Sequence, residues 1–199
     1  MAHNVNENEL TERLQLIESM MAEGRRRTES WGWTFVLWGA AYFVAFAWAT
    51  LGKSHLAWPV TMTLTGLITA IAASRLSKGH PETTMGRAVS GLWAAMGASL
   101  FLLLLSLGLS GRYEGHTFVA IIGAMLGLVN MASAIVLRWK AQFACAAIWL
   151  ASTVVACFGS DLATEIAFLA ATFIGLIAFG IYAMICESRR RRQSGVVHA

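Results

Sequence analysis

The chain has 199 residues, of which 57% are apolar and only 13% charged, with a mean hydropathy of +0.60. A soluble domain carries about 25% charged residues, so this chain has too few to solvate one globule. Disulfide scaffolds, collagen-like chains and disordered polymers are excluded by the same balance, which leaves an integral membrane protein.

The N-terminal segment opens with a pattern. Leu10, Leu14, Ile17 and Met21 recur at spacings of 4, 3 and 4, which marks one face of an amphipathic helix. Glu7, Glu9, Glu12, Glu18 and Glu23 surround that face, five of the eleven acids, against Arg13 alone. Gly24 interrupts the pattern just before Arg25-Arg26-Arg27. A helix built to lie on anionic lipid is basic, so this acidic one is expected to avoid the membrane surface. Residues 7–24 therefore read either as a docking helix for a protein partner or as a helix folded back on the protein's own basic loops. Residues 1–31 form the first unit, an acidic leader helix with a basic stop.

Six stretches then meet the length of about 20 apolar residues that a bilayer core requires. They run approximately over 33–51, 56–74, 88–110, 117–137, 141–159 and 162–186. The first five contain no Asp, Glu, Lys or Arg, and the sixth contains only Glu165. The runs are too long and too uniform for membrane strands. The expected fold is all-α, a polytopic bundle of six transmembrane helices over residues 32–187, with a basic tail at 188–199. Connections of 2 to 13 residues force consecutive spans into antiparallel hairpins and leave no room for a soluble domain between them.

Orientation follows from Lys and Arg. Thirteen of the fifteen fall in 1–32, 75–87, 138–140 and the tail, all on one side of a six-span chain; only Lys53 and Arg112 fall on the other. Both termini are expected in the cytoplasm. Trp31, Trp33 and Trp139 are placed at the cytoplasmic interface, Trp48 and Trp58 at the outer one. The Arg189–Arg192 run sits where anionic lipid contributes about 1 kcal/mol per basic residue. No nucleic-acid partner is expected, because no folded reader accompanies the arginines.

On the outer side, His55, Glu114, His116, Asp161 and Glu165 come from three short loops that a bundle brings together. They are the metal candidates of the chain, although the spacing is not specific to any ion. The plainer reading makes the histidines solvated and sets Asp161 and Glu165 at the positive end of the last helix. Within the spans, Thr61, Thr65 and Thr69 share a stripe and Asn130 lies in the fourth span. Gly123 and Gly127, and the Ala163, Ala167, Ala171 and Gly175 stripe, allow close helix approach, within the bundle or between subunits of a homo-oligomer. Cys145, Cys157 and Cys186 read as small apolar packing residues.

Residues 10–46, with a leader helix, a basic run and Leu37-Trp38-Gly39 entering the first span, resemble certain uncharacterised small bacterial membrane proteins of about six spans. The resemblance covers under a fifth of the chain, implies a bacterial inner-membrane location, and brings no catalytic residues with it. No H-E-x-x-H, G-x-S-x-G, Walker loop or G-x-G-x-x-G is present, and no cofactor is expected. The expectation is a non-enzymatic membrane component acting through its leader helix. The alternative is a small-solute or ion transporter or channel subunit; a membrane-embedded enzyme or outer-face metal-binding protein comes third.

Overall fold

A computed structural model of the chain describes residues 2–54, 56–76, 84–110 and 114–196. Among them every regular element is helical: α1 (Ala2–Ser30), α2 (Gly32–Leu51), α3 (Ala57–Leu76), α4 (Thr84–Leu109), α5 (Gly115–Leu137), α6 (Lys140–Phe158), α7 (Asp161–Thr172) and α8 (Phe179–Val196). A π-helical segment, Phe173–Ala178, joins α7 to α8 in one continuous rod. Six helices are long and apolar enough to cross a membrane: α2, α3, α4, α5, α6 and the α7–α8 rod. The chain is thus an all-α bundle of the membrane-spanning kind.

The helices are unequally enclosed. Half of the α5 span is buried but only 11% of the α4 span, and α3 is little better at 17%. The α5–α6 hairpin, α2 and the α7–α8 rod form the centre, with α3 leaning on α2 and α4 lying at the margin against α5 and α1. Small residues permit that centre to close. A Cβ on Gly123 would lie 2.5 Å from Thr153 Oγ1, and one on Gly127 2.7 Å from Leu150 Cγ, so α5 meets α6 backbone to side chain. Gly32 and Gly180 face each other, with each carbonyl oxygen within 2.8 Å of the other's would-be Cβ, at the crossing of α2 and α8.

Aromatic rings fill what remains. Phe168, 1% exposed, is ringed by Tyr42, Phe46, Trp58, Phe118 and Trp149 at centroid distances of 6.0 to 6.5 Å. A second group at the other end joins Phe35, Trp93, Phe179 and Trp139 at 5.1 to 5.2 Å. Trp58 and Trp139, expected at the interfaces by composition, thus turn their rings into the bundle: Trp58 sits 4.5 Å from Phe118, and Trp139 is 8% exposed.

Two helix limits differ from the sequence reading. Gly24 does not end the leader helix, which runs on through the three arginines to Ser30. It is a contact point: a Cβ there would lie 2.6 Å from Leu137 Cδ2 and 3.3 Å from Met85 Cγ. At the other terminus the helix continues past residue 186 to Val196, so the basic segment begun at 188 is helical rather than a loose tail. Glu187 and Arg191, one turn apart, pair at 2.6 Å across that extension.

Candidate functional site

The bundle has two chemically different ends. At one, α1, the Arg138–Trp139 turn, the start of α4 and the end of α8 come together. This is the end that gathers most of the Lys and Arg. At the other, the start of α5 meets the end of α6 and the start of α7.

At the basic end, α1 divides into two halves. Residues 20–30 pack on the bundle, with Gly24, Thr28 and Glu29 buried. Glu29 is 7% exposed, and its carboxylate accepts from the Arg190 guanidinium on α8, 161 positions further along the chain. A carboxylate removed from water needs such a partner. Residues 9–19, in contrast, are exposed on every side. Of the four residues read as a docking face, Leu10, Leu14 and Ile17 are 51 to 62% exposed, and Met21 is half-buried where the helix reaches the bundle. Leu16, 60% exposed, widens the apolar stripe. Arg13 is held by Glu9 at 2.5 Å, which leaves the arm net acidic.

At the opposite end, His116 stands in the first turn of α5. Its Nδ1 lies 2.8 Å from the Ala156 carbonyl oxygen of α6 and its Nε2 2.6 Å from Asp161 Oδ1 of α7. Thr164 Oγ1 adds a contact at 3.3 Å to Nδ1. Both ring nitrogens are engaged by protein oxygens, so the imidazole ties three helices. Glu114 lines the same open groove, of about 770 Å³, and accepts from Thr117 at 3.1 Å. Glu165 is exposed and does not join them, and His55 lies outside the described residues. Among the described residues no group of three or more His, Cys, Asp and Glu is placed to hold a metal ion.

The bundle interior carries polarity that spacing alone did not reveal. Thr65 and Thr69 donate to the carbonyls one turn back at 2.8 Å, which spends those hydroxyls on their own helix. Asn130 donates to the Leu126 carbonyl at 2.8 Å, but its Oδ1 has no partner among the described residues. Neither amide atom of Gln142, nor Trp149 Nε1, nor the Thr172 hydroxyl has one either, and all four residues are fully buried. The Trp149 ring packs on Phe168 and stands against Gly175 within the π-helical segment, where an added Cβ would strike its Nε1. Single π turns recur at functional sites. Of the small-residue stripe, Ala171 and Gly175 are buried inside the bundle, while Ala163 and Ala167 lie at its margin.

Sequence reasoning missed Glu29, Gln142 and Thr172, and read Arg190 only as part of a lipid-facing basic run, not as the partner of Glu29. Glu29 had one signal, an acid two positions after three arginines and just before the first span. No protein-family model, curated protein or solved structure matches this chain.

Proposed function

We propose that the protein is a non-enzymatic membrane component, with both termini in the cytoplasm, that engages a protein partner through the projecting half of α1. The observation that carries this reading is the complete exposure of residues 9–19, four large apolar side chains among them. A helix of that length gains little from its own hydrogen bonds in water. A partner supplies what is missing if it covers the Leu10, Leu14 and Ile17 stripe and sets basic side chains against Glu12 and Glu18. The bacterial inner membrane as its location rests on the resemblance of residues 10–46.

The triple substitution Leu10→Glu, Leu14→Glu, Ile17→Glu tests the docking face. In mild detergent it is expected to cut recovery of the co-purifying protein at least tenfold. The unfolding free energy should stay within about 0.5 kcal/mol of the parent, as for changes at exposed positions. A partner retained at full yield by the variant overturns the proposal. Truncation is the poorer tool unless it stops before residue 20, because residues 20–30 belong to the packed bundle.

A second reading, a subunit of a small-solute or ion transporter or channel, is favoured by the unpartnered polar atoms of Asn130, Gln142, Trp149 and Thr172. Intramembrane polar groups tend to mark pathways. Glu165 and the threonine stripe lend it no support. Flux in proteoliposomes that persists in Gln142→Leu and Thr172→Val removes it.

A further inference from the structure

Between α1, the Trp139 turn and α8 lies a cradle of about 420 Å³. Arg25, Arg26 and Arg190 line it, with Glu29, Trp139 and Tyr182. Three guanidinium groups meet one carboxylate, and that carboxylate is committed to Arg190. Arg26 is held from outside the cradle by Glu23 at 3.3 Å. Arg25 makes no ion pair among the described residues. With Glu23 counted, the cradle keeps an excess of one positive charge, centred on Arg25, in fork-shaped donors, the geometry that matches a phosphate.

Its height along the bundle identifies the phosphate's source. Trp139 occupies the turn between the α5 and α6 spans, and Arg25 precedes the first residue of α2 by under two turns of helix. Tyr182 lies at the apolar end of α8. This is the level of the headgroups, where a half-exposed Tyr ring such as that of Tyr182 settles. On the same helix, Ile181 and Ile185 flank Tyr182 and are 44% and 46% exposed, so the α8 surface beside the cationic seat is apolar, as acyl chains require and a soluble anion does not.

We propose that this cradle binds the phosphodiester headgroup of an anionic phospholipid in the leaflet at the basic end of the bundle. Arg25 and Arg26 supply the forked donors, and Tyr182 and Trp139 form the wall. Arg190 lies between lipid and protein because it also holds Glu29. The site draws together α1, α8 and the α5–α6 turn, which the sequence separates by more than 150 positions.

The test uses the full chain in nanodiscs of phosphatidylcholine alone or with phosphatidylglycerol, with bound lipid counted by native mass spectrometry and stability followed by heating. Phosphatidylglycerol is expected to raise the midpoint of the parent and to be retained on release from the disc. Arg25→Gln with Arg26→Gln should reduce retention at least tenfold without moving the midpoint in phosphatidylcholine. Arg189→Gln with Arg192→Gln, outside the cradle, should retain the lipid. Equal losses in both pairs overturn the site in favour of a diffuse basic surface. An equal midpoint rise with inorganic phosphate alone overturns the lipid as ligand. If the double glutamine variant does not fold, Arg25→Lys keeps the charge and loses the fork; retention equal to the parent then overturns the proposal.

Discussion

Replacing Gly175 by alanine lowers the unfolding midpoint, while the same replacement at Gly66, Gly91 or Gly97 leaves it unchanged or raises it. The chemical change is identical at the four positions. At Gly175 the new methyl carbon would stand 2.4 Å from Trp149 Nε1 and 3.1 Å from Cδ1. Trp149 is fully buried and cannot swing aside, so the rod must shift; overpacking of this kind costs about 1–3 kcal/mol. At Gly66, Gly91 and Gly97 nothing lies within 4 Å, and alanine favours a helix over glycine by about 1 kcal/mol. Intrinsic fluorescence on heating in one detergent reads all four. A Trp149→Phe background should recover part of the Gly175→Ala loss, because it removes the atom that is struck. Equal losses in both backgrounds would place the strain elsewhere.

Phe168→Ala is expected to be the most destabilising single truncation, by about 3–5 kcal/mol. The ring touches five others contributed by α2, α3, α5 and α6. Its removal leaves a void closed on all sides by rigid groups that relax poorly. Apolar burial drives little association between helices already in lipid, so packing carries more of the load here than in a soluble core. The effect should be greatest on α3, whose Trp58 is among its few inward-facing anchors. Protease cleavage near the α2–α3 connection, in a variant still membrane-inserted, reports that detachment. Wild-type resistance there would count against the anchoring role of Phe168.

The spans were legible because charge is absent from them, a signal that needs no knowledge of the fold. What the spans touch was not. In water a helix declares its core face by the polar face opposite; in lipid both faces are apolar, and α3 reads alike on its α2 side and its exposed side. Leu64 and Leu67 face out while Met62 and Thr65 face in, and the mild threonine stripe is what distinguishes the inward side. Gly24 misled because a glycine before a basic run resembles a helix stop, whereas its role is clearance for Leu137. The outer cluster was partly readable: short loops bring His116 to Asp161, but which nitrogen meets which oxygen depends on helix rotation. Glu29 stood out locally as an acid beside a basic run, but nothing in local pattern pointed to Arg190 as its partner.

That pair sets an order on biogenesis. Glu29 is made early and Arg190 emerges 161 residues later. At a synthesis rate of about 5–20 residues per second, the leader helix waits roughly 8 to 32 s for its counter-charge. During that interval its carboxylate can remain hydrated only if residues 20–30 stay off the bundle. The latch between α1 and α8 thus closes after the six described spans have been produced. A nascent chain that stalls before Arg190 leaves Glu29 without its counter-charge and residues 20–30 without that latch.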